Sequence, residues 1–583
     1  MTDENSGRDV APSFNLVHDP WIPVLLRSGD NETLSLIQVF QRAPEISQVV
    51  GDLPTTTAAI EGVLQAIFRR AVPEYRSGDA NATRSAVARF WDDWELVTRL
   101  TREYLEEWSE RFELVSGPTR FYQVADLEKL KGGHDSLETL IADAPGNNAF
   151  LTMRRRQELE SISFPEAARW LIHAQAYDPS GIRGAAVGDR RATGGKVYPT
   201  GPGWAALFGV ISPRSGQLSK DLLLATAPNG IGRLSYDADQ DLPAWERAPL
   251  TSAPEGIGRQ TWETASVREL REIRRQPNGP ADVMTWQARR IRLVTEGDQV
   301  VGVVLAAGDP IEPQNRYTVE PRAAWRFSTP QTRKFKELVY MPRELPVSSS
   351  LWRGLEALFP TSVNMELVKK GEETPKFYGP AVTSWIAELD EEDILGDERD
   401  AITFQATGMT LGSNRSVVDN VVSDSLSLPV SLFEERKVRF RVEVQDWIDR
   451  AEQVASAVAG FAADLARAAG AEDTDGLFQG TRADFLATVR PLFLEALAEI
   501  NMSDLTATVV VGDGFASALR AAAFRQQTEL IDAFGDAATI GTRVGDRYIS
   551  MGLADRWFQQ RLGKILGYPE QLTEKSSTEE EHE

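Results

Sequence analysis

The sequence has no cysteine among its 583 residues. Disulfide bonds, thiolate zinc sites, iron–sulfur clusters and cysteine nucleophiles are therefore excluded. Histidine is also scarce, with four in the chain, and no H-E-x-x-H, G-x-S-x-G or Walker sequence occurs. No run of 18 apolar residues is present, so we expect no transmembrane helix. These absences give little support to an enzyme, a metal site or a bound cofactor.

Positive charge is in short supply as well. The chain has 63 basic against 86 acidic residues, a formal net charge of −23. This balance argues against a uniformly basic nucleic-acid-binding surface. It leaves room for local basic patches, because exposed charges are screened beyond about 8 Å at physiological salt. Residues 1–13 lack the basic and apolar regions of a secretory signal, so we expect a cytoplasmic protein.

Hydrophobic periodicity predicts an α+β fold in which a large mixed α/β domain, residues 14–431, is followed by a four-helix bundle, residues 432–567. We expect residues 1–13 to form a disordered leader and residues 568–583 an acidic disordered tail. Within the large domain, helical spacing of apolar residues predicts helices, and one apolar run predicts a buried strand. The predicted helices cover 58–71, 87–105 and 165–176, and the strand covers 300–306.

The bundle prediction depends on four stripes of apolar residues that recur every three or four positions. The alternative is that these helices pack on the larger domain rather than on one another, because an apolar face does not show which element it packs against. The stripes are Trp447, Ala451, Val454, Val458, Phe461, Leu465 and Ala468; Phe485, Val489, Leu492, Leu497 and Ile500; Phe515, Leu519, Ala522 and Leu530; and Leu553, Trp557, Leu562 and Ile565.

The segment NLVHDPWIPV, residues 15–24, is stiff and apolar. Its two prolines fix their own φ angles and push the preceding residues toward extended geometry. We therefore expect an extended element that buries the indole of Trp21, with no catalytic role for His18 or Asp19.

Two loops stand out further along the chain. Residues 177–204, YDPSGIRGAAVGDRRATGGKVYPTGPGW, are rich in glycine and basic residues and have no periodicity of their own. Loops of this length are usually functional or disordered. Residues 390–400, DEEDILGDERD, form a dense acidic segment. It could hold Mg²⁺ if its carboxylates converged, although such charge runs are usually solvated.

Three features together resemble the CasA family, the large subunit of the type I-E CRISPR surveillance complex, Cascade. They are the residues Asn15, Leu16, Asp19, Trp21, Ile22, Pro23 and Val24; the segment Gly146-Asn147-Asn148-Ala149-Phe150; and a large mixed domain followed by a helical bundle. The resemblance implies a non-catalytic subunit that recognises a protospacer-adjacent motif (PAM) in double-stranded DNA. It also implies that the chain helps open the duplex for guide pairing and recruits a separate helicase-nuclease. The implied partners are the other Cascade subunits, the 5′ handle region of the guide RNA, the target DNA and the helicase-nuclease, with no membrane.

The resemblance also implies three DNA-binding elements. The first is a glycine loop whose backbone lies against the duplex, where bulky side chains would not fit. The second is a basic finger for the minor groove, to which arginine is suited. The third is a hairpin tip that acts as a wedge under the last PAM base pair; the family commonly has glutamine there, and Asn414 takes the matching place. These elements correspond to Ser180, Gly181, Ile182, Arg183 and Gly184; to Arg316; and to Gly412, Ser413, Asn414 and Arg415.

A fourth implied element docks the chain onto the guide RNA handle and the neighbouring subunit. An aromatic residue for stacking beside arginines for phosphate is suited to single-stranded nucleic acid. The residues are Phe150, Thr152, Arg154, Arg155 and Arg156. The alternatives are an ordinary surface loop for residues 180–184, a surface arginine without a ligand for Arg316 and a plain hairpin turn for residues 412–415. For the fourth element the alternative is a buried Phe150 beside a solvated basic run. Two other functions stay open, a metal-dependent hydrolase that uses residues 390–400 and a structural scaffold that does not touch DNA.

Overall fold

A computed structural model of the chain divides into two compact units, Met1–Arg436 and Lys437–Glu583. The division falls a few residues after the boundary predicted between 431 and 432. The structure describes residues 12–144, 159–198, 200–252, 254, 264–266, 269, 272–345, 350–369, 371–396, 401–545 and 547–567. Mixed helices and strands in the first unit and helices in the second confirm the predicted α+β class.

The first unit alternates short strands with helices. Its strands are β1 (Ile22–Leu26), β2 (Asn31–Leu34), β3 (Ile46–Val49), β4 (Ile162–Ser163), β5 (Arg183–Gly184), β6 (Lys196–Val197), β7 (Val210–Arg214), β8 (Arg289–Glu296), β9 (Gln299–Ala307), β10 (Trp325–Phe327), β11 (Tyr340–Pro342), β12 (Met365–Lys369), β13 (Glu372–Pro375), β14 (Phe377–Tyr378), β15 (Ile402–Leu411) and β16 (Val418–Leu428). Its helices are α1 (Leu36–Arg42), α2 (Pro54–Ala71), α3 (Pro73–Arg76), α4 (Ala80–Asp92), α5 (Glu95–Glu107), α6 (Phe164–Tyr177), α7 (Leu218–Ala225), α8 (Pro280–Met284), α9 (Thr329–Phe335) and α10 (Ala381–Glu391).

The strands of the first unit form small antiparallel sheets. Four sheets have three strands, in the orders β2-β1-β3, β4-β9-β8, β11-β10-β14 and β16-β15-β7. The long hairpin β15–β16 pairs Ile402 with Leu428 at its base and Leu411 with Val418 near its tip. Strand β7 pairs with the other edge of β15, so the base of this hairpin is fixed in the sheet while its tip projects beyond it.

Helix α2 lies at the centre of the first unit. Proline at its first position fits the helix start, where the missing N–H has no intrahelical partner, and nearly all of its side chains are buried. It packs against α5, α6 and α8. The predicted helices 58–71 and 165–176 are therefore confirmed as α2 and α6, and the predicted strand 300–306 as β9.

The predicted helix 87–105 is wrong as a single element, because it breaks into α4 and α5. Asp93 has extended backbone angles at the end of α4, and its carboxylate accepts a hydrogen bond from Glu95 N at 3.1 Å. Trp94 is buried and donates from Nε1 to Phe40 O at 2.7 Å. The apolar spacing continues across this break, so periodicity alone did not reveal it.

Trp21 is fully buried, as the sequence predicts. Its Nε1 donates to Leu16 O at 3.0 Å, and Asp19 accepts from Asn15 N at 2.7 Å. Residues before β1 therefore form a turn rather than a fully extended segment. Asn15 Oδ1 accepts from Val17 N at 3.0 Å in an Asx turn, and Asp19 closes the same segment through its bond to Asn15 N, which gives Asp19 a structural role.

The described residues of the second unit form four helices and a short hairpin. Its elements are α11 (Val438–Ala468), α12 (Asp475–Ala498), α13 (Leu505–Ile540), β17 (Thr542–Val544), β18 (Arg547–Ile549) and α14 (Met551–Leu566). Helix α11 packs against each of the other three helices. All seven residues of its predicted stripe are buried, which confirms that the helices pack on one another.

The predicted stripe on α14 is confirmed at Leu562 and is wrong by one position at Leu553 and Trp557. Ala554, Phe558 and Leu562 are the buried residues, whereas Leu553 and Trp557 are half-buried. The ring of Phe558 lies 5.0 Å from that of Phe461 on α11. One residue turns a helix face by about 100°, and the large Trp557 drew the sequence prediction to the neighbouring face.

Helix α13 is long and apolar enough, by length and composition alone, to cross a membrane, although the sequence suggested no such segment. A core helix of a bundle passes the same test. Phe515 and Leu519 on this helix are buried, and the Phe515 ring lies 6.0 Å from that of Phe493 on α12. The apolar composition of α13 therefore supplies bundle core.

Gly512 marks the close approach of α13 to α11. A Cβ at this position would overlap Trp447 Nε1 and come within 2.9 Å of Glu443 Oε1. We expect Gly512→Ala to lower the melting temperature, because overpacking costs about 1–3 kcal/mol while alanine regains only about 1 kcal/mol of helix propensity. Thermal unfolding followed by circular dichroism measures the effect.

Gly514 provides the matched control on the same helix, since a Cβ there meets nothing within 4 Å. Gly514→Ala should keep or raise the melting temperature. Equal stabilisation by both alanines would contradict the close helix crossing at Gly512.

Candidate nucleic-acid interface

The glycine loop, which we define as residues 178–184, is fixed at its root by a buried arginine. Arg289, the first residue of β8, is 2% exposed. Its Nη2 donates to Asp178 O at 3.0 Å, Pro179 O at 2.9 Å and Gly201 O at 3.0 Å, and its Nε pairs with the Asp178 carboxylate. This single side chain therefore sets where the loop leaves α6.

Gln175 on α6 completes this anchor. Its Oε1 accepts from Arg289 N at 2.8 Å, and its Nε2 donates to Tyr122 O at 3.2 Å and Arg289 O at 3.1 Å. A buried amide whose donors and acceptor are all paired holds its neighbours in one arrangement. The end of α6 and the start of β8 are thus joined directly beneath the loop.

Within the loop, Ser180 is buried, Gly181 is half-buried and Ile182 is 56% exposed. Arg183 pairs with Asp178 and donates to Pro179 O at 3.0 Å, so its charge is partly used inside the loop. A Cβ built on Gly181 would lie 3.7 Å from the Arg183 guanidinium carbon. The loop therefore has room for a small side chain at 181, and its path does not depend on glycine there.

The predicted wedge, residues 412–415, forms the tip of the β15–β16 hairpin. Gly412 N donates to Val417 O at 2.9 Å and closes the tip. Asn414 and Arg415 both have φ of 56°, in the left-handed region. Asparagine tolerates this conformation better than most residues. Ser413, Asn414 and Arg415 are exposed, as expected for side chains that project from the sheet.

The structure brings the glycine loop and the hairpin tip together. Ser180 N donates to Arg415 O at 2.8 Å. The two elements also line one cavity of about 390 Å³, to which the loop contributes Ser180 and Gly181 and the hairpin contributes Met409 and Ser416. Residues far apart in sequence, and assigned to the same surface from sequence alone, are therefore neighbours.

The lining of this cavity mixes apolar residues with polar ones, among them His173. His173 on α6 is buried and shares a 3.0 Å hydrogen bond with Thr55 Oγ1. Burial lowers its pKa to about 4, because removal from water disfavours the charged imidazolium. His173 therefore contributes a neutral polar group to the cavity lining at physiological pH.

The predicted basic finger, Arg316, lies elsewhere. It is half-buried, and its Nε donates to Glu312 O at 2.9 Å while Nη2 donates to Gln276 Oε1 at 3.0 Å. Burial lowers its pKa, although an arginine keeps its charge at any physiological pH. Glu312 lines a groove of about 570 Å³ that Arg415 also lines. Arg316 is not among the residues that line this groove, and its guanidinium is held by Glu312 O and Gln276.

Two predictions concern residues that the structure does not describe in full. Phe150, Thr152, Arg154, Arg155 and Arg156 lie outside the described residues. Of the acidic segment, residues 390–396 are described and 397–400 are not. In the described part of the chain, no group of three or more acidic or histidine side chains is placed to hold a metal ion. The described carboxylates therefore give the hydrolase alternative no support.

Sequence reasoning missed the anchoring residues. Arg289 and Gln175 carry no motif, and an arginine at the start of a strand is usually exposed. The available signal was the pair Arg289-Arg290 beside the apolar residues Ile291, Leu293 and Val294. Charged side chains on a buried strand need hydrogen-bond acceptors, and the carbonyl groups of a long irregular loop can supply them.

Comparison with known proteins identifies the family. A family model described as CRISPR-associated protein Cse1 matches residues 15–526. The CRISPR-associated protein CasA/Cse1 of Thermus thermophilus is 28% identical over 348 residues. That match covers 60% of this chain, and the chain spans 60% of the length of that curated relative.

Solved structures show the same fold. The crystal structure of Thermobifida fusca Cse1 superposes with a TM-score of 0.82 at 35% identity, covering 95% of this chain and 98% of that one. A chain of a CRISPR RNA-guided surveillance complex superposes with a TM-score of 0.67 at 16% identity, covering 95% and 99%; at that identity the likeness concerns the fold alone. The match of the family model over most of the chain decides the assignment: this chain belongs to the Cse1 family of CRISPR-associated proteins.

Proposed function

We propose that this chain is the large subunit of a type I-E CRISPR surveillance complex. In this role it recognises the PAM in target double-stranded DNA, helps open the duplex for guide pairing, and recruits a helicase-nuclease. The observation that carries the proposal is the hydrogen bond from Ser180 N to Arg415 O at 2.8 Å. It joins the glycine loop and the hairpin tip, the two loops to which the family resemblance assigns DNA contacts.

The chemistry of the two loops suits different tasks. A loop with glycines at 181 and 184 lets a nucleic-acid backbone approach closely. An exposed, polar hairpin tip held in a fixed turn is suited to insertion beneath a base pair, since unstacking a step costs a few kcal/mol that an inserted group offsets. With the tip bonded to the loop, capture of the duplex and insertion of Asn414 occur at adjacent positions.

The proposed partners follow from the family. They are the other subunits of the complex, the 5′ handle region of its guide RNA, the target duplex and the helicase-nuclease. One structural neighbour is named as part of a CRISPR RNA-guided surveillance complex, which supports an assembly of this kind. We assign the RNA and subunit contacts to Phe150, Thr152 and Arg154–Arg156, on the sequence alone.

We further propose that the chain is not itself catalytic. Purified protein with Mg²⁺ should leave plasmid DNA, linear DNA and ATP intact, because the described residues contain no group of ligands for a metal. Gel analysis and phosphate release measure this. Asp390→Asn provides the contrast, since Asp390 is the buried first carboxylate of the acidic segment. Cleavage by the parent protein that disappears in Asp390→Asn would overturn the proposal in favour of a hydrolase.

Asn414 at the hairpin tip tests the wedge. Glycine lacks the side chain but readily adopts the left-handed backbone conformation at φ 56°. Asn414→Gly therefore removes the side-chain amide without disturbing the turn. We expect complexes rebuilt with this variant to form R-loops more slowly on linear, PAM-bearing DNA. The defect should shrink on negatively supercoiled plasmid, because supercoiling lowers the cost of opening.

Asp298→Gly is the matched control, since Asp298 is an exposed residue of the β8–β9 turn and has no part in the proposed site. It should open both substrates at the parent rate. If Asn414→Gly also opens linear targets at the parent rate, the wedge lies elsewhere.

Gly181 tests duplex capture. A Cβ at this position meets nothing closer than 3.7 Å, so both Gly181→Ala and Gly181→Asp should fold, as unchanged melting temperatures would show. Gly181→Asp places a negative charge where we expect phosphates, and should weaken binding of PAM-bearing duplex more than Gly181→Ala, which adds bulk alone. Equal affinity of the parent and Gly181→Asp in a titration of rebuilt complexes would remove the loop from the interface.

A further inference from the structure

A second concave surface is lined in part by residues 182–184 of the glycine loop. It encloses about 340 Å³ and is lined by four basic residues and no acidic one. We call it the lysine cleft, and its lining residues are Lys129, Lys131, Gly132, Ile182, Arg183, Gly184, Ala185, Gly195 and Lys196. In a chain with a net charge of −23, such a surface is a local exception.

Three extended segments build the lysine cleft. Strand β5 pairs with β6, with Gly184 opposite Lys196. On the other edge, Leu130 N donates to Ala185 O at 2.8 Å, and Val187 N donates to Glu128 O at 2.9 Å. Backbone pairing on both edges of the central segment therefore fixes the lysines relative to one another, although they come from distant parts of the sequence.

Glycines make the floor of the cleft. A Cβ at Gly184 would lie 3.5 Å from Lys129 Cε, and one at Gly195 would lie 3.4 Å from Lys131 Cε. The lysine stems thus pass directly over bare backbone. Gly195 also has φ of 76°, a conformation that glycine adopts without steric cost. Larger residues at these positions would move the ammonium groups.

The four charges of the cleft are not equivalent. Lys129 pairs with Asp135, and Arg183 pairs with Asp178. Lys131 and Lys196 are exposed and, within the described part of the chain, have no ion-pair partner. Two unpaired ammonium groups at the mouth of a site that holds no carboxylate are available for an external anion.

We propose that the lysine cleft binds the sugar–phosphate backbone of the target duplex, with Lys131 and Lys196 as its phosphate contacts. This inference rests on the proposed function. Continuity with the DNA-binding elements favours it, because Arg183 lines both this cleft and the cavity that the glycine loop shares with the hairpin. Lysine binds phosphate as a point charge and reads no base. The cleft therefore adds affinity that is independent of sequence, beside the loops that act on the PAM.

The test removes both charges, Lys131→Ala together with Lys196→Ala, in complexes rebuilt with the full chain. Each lost phosphate contact reduces the slope of log Kd against log salt by about 0.9 for duplex DNA. We expect the slope to fall by about 1.8 for the pair. Affinity for PAM-bearing and PAM-free duplex should fall by the same factor, so that their ratio is unchanged. Lys131→Arg together with Lys196→Arg should keep the parent slope, because the charges remain.

Lys334→Ala together with Lys564→Ala is the control for net charge, since both lysines are exposed and neither lines the cleft. This control should keep the parent slope. The inference would be overturned if the double alanine variant of the cleft kept the parent slope of log Kd against log salt. It would also be overturned if this variant lost incorporation into the complex while its DNA affinity stayed unchanged, since that result would show a protein or RNA contact instead. The parent complex distinguishes failure of the proposed function from failure of the lysine-cleft inference. If the parent complex does not open DNA in a PAM-dependent way, the proposed function is wrong. If the parent complex opens DNA and the cleft variant keeps the parent salt slope, only the lysine-cleft inference is wrong.

Discussion

The site depends on one buried guanidinium. Arg289 leaves water at a cost of several kcal/mol, which its hydrogen bonds to Asp178, Pro179, Gly201 and Ala288 offset. Arginine suits this position because its five donors lie in one plane and diverge toward several acceptors. The carbonyl groups of a long irregular loop would otherwise lack partners. The glycine loop is therefore a fixed structure at its root, and the hairpin tip meets a defined backbone N–H at Ser180.

The same chemistry explains why basic residues in a sequence are weak guides to a binding surface. Arg191 was part of the basic character of the long loop, yet it donates to Ala307 O and Gly308 O, both at 2.6 Å, and pairs with Asp189. Arg183 and Arg316 likewise bind within the chain. Composition shows that charge is present. Only tertiary structure shows whether that charge is used to satisfy carbonyl groups or is left for a ligand.

The fold was easier to predict than the site, for a physical reason. Burial repeats along an element, so seven residues on α11 defined its core face, and an error of one position on α14 still located the helix. The residues of a binding site, by contrast, do not recur at a regular spacing in the sequence. The turn chemistry of Gly412-Ser413-Asn414 marked the hairpin tip, and glycine content marked the loop, but nothing local predicted that Ser180 would bond to Arg415. Lys129 and Lys131, too, join Lys196 only through backbone pairing that sequence spacing does not encode.

The division between arginine and lysine follows from their hydration. A guanidinium is weakly hydrated and planar, so it enters the interior and holds carbonyl groups and carboxylates at fixed angles. An ammonium group is strongly hydrated and sits on a flexible stem, so burial is costly and exposure is favourable. In the described first unit, Arg289 and Arg191 therefore act as internal connectors, whereas Lys131 and Lys196 stay at the surface. The internal arginines pair with nearby carboxylates and so neutralise them. The exposed lysines then give the cleft a positive charge that can bind a polyanion, although the protein as a whole is acidic.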